Sequence, residues 1–229
     1  MISPVHVWIV STNIDEPSLA RASALLDDEE RRRVASFRFE SDQRMSLVAR
    51  AALRTLLGRH LQRDPRALRF ILGEQGKPAL AEGEVEFNVS HSAGHVAIAI
   101  SEGGAVGVDL EAVRPTSDLL HLAERFFSAR EAENVRIASD DDRAERFFAY
   151  WTAKESVIKA VGGGLSIDLR SFETDPRIGQ PTSVRNHGDD ARLNGWNVFA
   201  IASGIDGFHL AVASQRIDEP RMSRWSLEV

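Results

Sequence analysis

The hydrophobic positions along this chain change period several times, and each change predicts an element. Val5 to Val10 is an apolar-rich run closed by Ser11-Thr12-Asn13, the pattern of a strand and a turn. Leu19, Ala22, Leu25 and Leu26 then recur at helical spacing, predicting one helix from Asp15 to Arg33. A longer helix is predicted from Ser41 to Leu61, with Met45, Val48, Ala52, Leu56 and Leu57 as its apolar stripe and Asp64-Pro65 as its stop. Leu68 to Leu72 reads as a short strand before the turn-like Gly73-Glu74-Gln75-Gly76-Lys77-Pro78. Val85 to Ser90 alternates and His95 to Ile100 is apolar, a hairpin with a His91-containing polar tip.

The second part repeats the order. Ala105 to Glu111 alternates as a strand, and Leu119 to Phe127 and Ala129 to Ile137 read as short helices, with Ser128 and Glu131 spaced as a capping box. A long helix follows from Arg143 to Val161, with Phe147, Phe148, Ile158 and Val161 on its core side and Gly162-Gly163-Gly164 as its stop. Ser171 to Thr174, Trp196 to Ile201 and Phe208 to Ala213 complete the chain as strands. A long helix followed by an apolar strand pair thus occurs at residues 41–101 and again at 143–214. That order predicts an α+β fold of two related halves, although no residue-level repeat is visible.

Composition narrows the function classes. With 43% hydrophobic and 27% charged residues the chain reads as a soluble globular protein. It has no cysteine, so any metal must be held by oxygen or imidazole. Neither a signal-peptide pattern at the start nor a membrane-length apolar run is present, so a cytoplasmic location is expected. The net charge of −6 argues against general nucleic-acid binding. Residues 31–69 nevertheless hold eleven arginines, either a solvated face or a site for a multiply charged anion or an acidic partner. Lysine is rare: Lys77, Lys154 and Lys159 are three of 28 basic residues, so each marks a place where a compact ammonium is wanted.

Two stretches carry candidate chemistry. In Trp151-Thr152-Ala153-Lys154-Glu155-Ser156-Val157-Ile158-Lys159, residues 151, 155 and 159 share a helix face. A Glu and Lys four apart are ordinarily a solvated ion pair, and Trp151 is ordinarily packing. In Gly107-Val108-Asp109-Leu110-Glu111, alternation puts both carboxylates on one side of a strand, where they repel unless solvent or a cation relieves them. With Glu155 as a third carboxylate the set becomes a candidate magnesium site. Asn88, Ser90, His91 and Ser92 add donors suited to phosphate.

Together with Gly76-Lys77-Pro78 and Phe87-Asn88-Val89-Ser90-His91-Ser92, these stretches resemble the 4′-phosphopantetheinyl transferases of the surfactin-synthetase-activating type, in that family's order, from about residue 30 to residue 214. The resemblance implies two similar α+β halves, 1–104 and 105–229, related by a pseudo-two-fold with a coenzyme A site between them. It implies transfer of phosphopantetheine from coenzyme A to a serine of an apo acyl, peptidyl or polyketide carrier protein, by a monomer. Asp109, Glu111 and Glu155 would bind magnesium, or manganese in its place; Glu155 would be the base and Lys159 would hold the transferring phosphate. Lys77, Ser90, His91, Asp109, Lys154 and Lys159 would contact coenzyme A, and Arg38, Arg44, Arg50 or Arg54 would serve its 3′-phosphate, because Ser41 and Ile71 stand where some members have basic residues. The alternatives are a non-catalytic binding module for coenzyme A or a carrier, or a metal-dependent phosphodiesterase.

Overall fold

A computed structural model describes residues 4–73, 76–216 and 218–225, the side chain of Leu165 excepted. Glu74 and Gln75 of the expected turn lie outside the described residues, as do residues 1–3.

The first half runs β1 (His6–Ser11), α1 (Glu16–Ala24), α2 (Asp28–Ala35), α3 (Glu40–Leu61), β2 (Phe70–Leu72), β3 (Pro78–Leu80), β4 (Glu86–Ser92) and β5 (His95–Ser101). The second runs β6 (Val106–Ala112), α4 (Leu119–Phe126), α5 (Ala129–Arg136), α6 (Asp140–Val161), β7 (Phe172–Glu173), β8 (Pro181–Ser183), β9 (Arg185–Asn186), β10 (Asn197–Ala202) and β11 (Phe208–Ser214). A final strand, β12 (Arg221–Arg224), returns to the first half. The expected α+β class is what is found. The single helix expected over 15–33 is two, because Asp27 and Glu30 form a capping box that starts α2 afresh after Leu26.

One sheet has the order β12-β1-β5-β4 and another β6-β11-β10-β8, among the described residues. Helix α3 covers the first sheet through Val48, Ala52, Leu56 and Leu57 against Phe87, Ile98 and Ile100. Helix α6 covers the second through Ala153, Val157 and Ala160 against Val198, Ala211 and Ala213. Both helices are 22 residues long. The remaining sheet faces pack on each other, Val5, Val7 and Ile9 meeting Val106, Val108 and Leu110 in one dry layer. Fully burying such aliphatic side chains contributes about 1.5–3 kcal/mol each, enough to hold the two sheets as one body.

The join between halves is made by side chains. Alternate residues of β4 face the open edge of β6: Asn88 Oδ1 accepts from Val108 N–H at 2.9 Å, Ser90 Oγ from Leu110 N–H at 3.3 Å and Ser92 Oγ from Ala112 N–H at 3.1 Å. The alternation of Asn88-x-Ser90-x-Ser92 therefore caps an edge that would otherwise leave buried amides unpaired. The chemistry is set along this seam.

Candidate active site

Strand β6 lies against α6 because Gly107 has no side chain; a Cβ there would fall 2.0 Å from Ser156 O and 2.4 Å from Ala160 N. That close approach brings Asp109, two residues along the strand, beside the face of α6 that carries Glu155 and Lys159. Lys159 Nζ donates to Asp109 Oδ1 at 2.6 Å and to Ser90 Oγ at 2.9 Å, and Ser90 Oγ–H donates to the same carboxylate oxygen at 2.7 Å. Asp109 is only 2% exposed, and its other oxygen, Oδ2, is buried without a hydrogen-bond partner. Ser92 Oγ–H donates to Glu111 at 3.0 Å. Lys159 thus reaches across to Asp109 and not back to Glu155, so the solvated Glu-Lys pair expected of an isolated helix is not what the fold makes.

Crowding shows in the acidities. Burial, then the Asp109 charge, push the Glu155 carboxyl up to about 7, against a smaller opposing pull from Lys159. Burial and Asp109 also raise Glu111, in spite of the Ser92 hydrogen bond. Burial lowers Lys77, whose Nζ donates to Val106 O at 3.3 Å and lies 3.8 Å from Glu86. Glu111 and Glu155, both raised by burial and by the Asp109 charge, form with Asp109 a set of hard oxygen donors short of positive charge. As the side chains stand, no group of three or more His, Asp or Glu among the described residues has metal-holding geometry. The unpartnered Asp109 Oδ2 and the donor chemistry nevertheless suit a hard divalent cation.

Two cavities meet at this seam. The larger, about 600 Å³, has Arg33, Arg50, Arg114 and His91 in its lining together with Glu30, Asp42 and Glu111. The smaller, about 290 Å³, holds Lys77, Glu155, Lys159 and the Gly162 end of α6. Pro78 and Val89 line both, so the two adjoin along the cleft between the first half and the second. Arg50 stacks on the Phe70 ring at 4.6 Å, and its Nη1 is buried without a partner. Arg33 and Arg114 were not singled out by sequence, and Arg50 could not be told from a solvated arginine; only their convergence on one cavity identifies them.

Several expected cofactor contacts are corrected by the fold. Lys154 is fully buried: its Nζ pairs with Glu131 at 2.8 Å and donates to Leu169 O at 2.8 Å and Phe172 O at 2.6 Å, leaving no donor for a ligand. Arg54 is 1% exposed and is consumed by Glu30, Asp27 and the carbonyls of Pro65 and Leu68. Arg44 bonds Thr12 O, Ile14 O and Glu16, tying down the turn after β1. Ser90 is held by Asp109 and Lys159, so it supports the carboxylate and lines neither cavity. Trp151 packs on Phe147 and Phe126, as expected.

Comparisons with known proteins bear on the family. The model of the 4′-phosphopantetheinyl transferase superfamily matches residues 105–213, and that of the 4′-phosphopantetheinyl transferase N-terminal region matches residues 13–103. A putative 4′-phosphopantetheinyl transferase of Synechocystis sp. is 34% identical over 218 residues, covering 93% of this chain and 88% of that protein. HetI of Nostoc sp. is 37% identical over 180 residues, 75% of this chain and 76% of HetI. Sfp of Bacillus subtilis is 32% identical over 170 residues, 74% of this chain and 70% of Sfp.

Proposed function

Because the chain belongs to the 4′-phosphopantetheinyl transferase family, we propose that its seam site moves phosphopantetheine from coenzyme A to a serine hydroxyl of an apo acyl, peptidyl or polyketide carrier protein. The observation that carries this is a pair of adjoining cavities: one of about 600 Å³ with Arg33, Arg50, Arg114 and His91 beside Glu30, Asp42 and Glu111 in its lining, and one of about 290 Å³ bearing Lys77, Glu155 and Lys159. The first has the size and the arginines for a phosphorylated nucleotide, and the second leaves room for a narrow chain. Arg33, Arg50, Arg114 and His91 hold the adenosine phosphates, and Lys77 and Lys159 approach the pyrophosphate from the other side.

In the reaction the serine Oγ attacks the pantetheine-side phosphorus and its proton passes to Glu155, directly or through water. The phosphorus–oxygen bond toward adenosine breaks, its electron pair leaves on adenosine 3′,5′-bisphosphate, and Lys159 faces the charge that develops. Without a cation, burial and the Asp109 charge raise this carboxyl to about 7; a divalent cation held there would lower it and keep Glu155 ionised to take the proton. Asp109, Glu111 and Glu155 would hold magnesium, or manganese, which would screen the pyrophosphate when bound.

The division at residues 104 and 105 and the monomeric state belong to the same proposal. Both are supported by the seam, which one chain completes with β4 from one half and β6 from the other. Among the described residues no helix is long and apolar enough to cross a membrane, and the cysteine-free sequence suits the cytoplasm. Mass spectrometry of an apo carrier incubated with the protein, coenzyme A and magnesium will show one added phosphopantetheine. Tight coenzyme A binding with no added mass on several carriers would instead favour a binding module, and hydrolysis without carrier modification a phosphodiesterase.

A further inference from the structure

The two buried cations that the cleft does not use occupy matching places. Arg54 and Lys154 are each the fifteenth residue of a 22-residue helix. Arg54 binds Glu30, the third residue of α2, whose carboxylate also accepts from the Asp27 cap N–H at 3.0 Å. Lys154 binds Glu131, the third residue of α5, whose carboxylate also accepts from the Ser128 cap N–H at 3.0 Å. Each cation then donates to two carbonyls three residues apart around a short 3-10 turn, Pro65 and Leu68 in one half, Leu169 and Phe172 in the other. Each turn opens on an aspartate accepting from the amide two residues on, Asp64 from Arg66 and Asp168 from Arg170, both at 2.9 Å. Each cation lies over a phenylalanine ring, Phe70 at 5.1 Å and Phe172 at 4.2 Å. One clamp is built twice.

In the second copy the clamp stands one residue from Glu155. Glu131 is 1% exposed and its second oxygen takes Thr174 N–H at 2.8 Å, so cap, helix and following strand meet on one carboxylate. On its other side α6 rests on Gly107 of β6. We propose that the Glu131–Lys154 pair positions the catalytic helix: it fixes the rotation and axial place of α6, and so holds Glu155 and Lys159 against Asp109. The inference rests on those residues acting as described above. A helix shifted by about 1 Å would misplace both groups relative to the phosphate, a displacement that costs up to about 100-fold in rate while leaving the arginine-bearing cavity of the first half intact. Lys154 is a positioning residue, since it touches neither cavity.

The first clamp supplies the control. Steady-state kinetics with a saturating carrier should show Lys154→Met/Glu131→Gln lowering kcat about 30-fold, with KM for coenzyme A within about threefold. Arg54→Met should lower the thermal midpoint at least as far and raise KM for coenzyme A through Glu30, which also pairs with Arg50 at 3.4 Å, yet keep kcat within about threefold with coenzyme A saturating, since no reacting group follows it in the chain. Lys154→Arg, which installs the cation of the first clamp, should recover most of the turnover. Should the double variant fail to fold, Lys154→Met alone, which leaves both Glu131 oxygens to accept from the Ser128 and Thr174 amides, is read the same way. Near-normal kcat in a folded Lys154 or Glu131 variant overturns the proposal, as does an equal loss of kcat in Arg54→Met. Failure of the transferase reading itself would show differently, as a wild-type protein that modifies no carrier.

Discussion

The two long helices share length, clamp and a left-handed closing residue, Gln62 at φ 54° and Gly162 at φ 75°, but only one of them faces reacting groups. Where α6 carries Glu155 and Lys159, α3 carries Thr55 and Arg59 at the same helix positions. Thr55 turns back to Ala51 O at 2.9 Å, and Arg59 lies over the Trp225 ring at 5.2 Å. The strands differ in the same way. Asp109 sits opposite Ala211, fourth residue of β11, and Trp8 sits opposite Ile98, fourth residue of β5; Glu111 is likewise matched by Val10. The edge of β6 is left to the side chains of β4 and opens on the cleft, whereas the edge of β1 is closed by β12 in parallel pairing. Duplicating a scaffold duplicates its packing and its clamp. Chemistry needs, in addition, an open strand edge and carboxylates that the second half alone retains.

The sharpest way to break this comparison is to remove a reacting group from one helix and its counterpart from the other. Glu155→Gln should lower kcat by about 10²–10⁴-fold if it is the base, with Thr55→Val within about twofold of the wild type; stopped assays on a carrier protein read both. Near-normal turnover in Glu155→Gln removes it from the mechanism.

A smaller effect should appear in stability without divalent cations. Burial, then the Asp109 charge, raise the Glu155 carboxyl from 4.5 to about 7 on folding against the pull of Lys159, so folding favours its protonated form. Its contribution to stability is whole below pH 4.5 and is lost as pH rises toward 7. Glu155→Gln, which stays neutral, should therefore gain on the wild type by about 1–3 kcal/mol between pH 4 and pH 8 in urea melts with chelator present. Magnesium should narrow that gap; a gap independent of pH would contradict the crowded-carboxylate site. The smallest expected change is in the closed copy: Arg59→Ala loses a cation–π contact worth about 0.5–1 kcal/mol and should leave kcat unaltered, unlike Lys159→Ala.

Much of the second half could be read directly. The alternation of Val106 to Glu111 and the spacing of Trp151, Glu155 and Lys159 follow from the local periods of strand and helix, and the Ser128–Glu131 cap is a local hydrogen-bond pattern. Helix α2 was hidden because Leu25 and Leu26 continue the helical stripe of α1 while the Asp27 cap interrupts the backbone. Strands β3, β8, β9 and β12 are two to four residues long and show too few turns of alternation to be seen. The repeat was invisible because what repeats is a role: arginine serves in one clamp and lysine in the other, aspartate caps one helix and serine its counterpart.

By itself, then, the sequence determined the element order, the α+β class and the identity of the carboxylates and lysines that could do chemistry, since these depend on period and residue type. Only the tertiary structure decided which cations face the cleft. Arg54 and Lys154 look as functional as Arg50 and Lys159 along the chain, but in the fold the first two are consumed by buried carboxylates and carbonyls. An unpaired charge cannot be left in an apolar interior, and whether a partner awaits it there depends on contacts between residues distant in sequence.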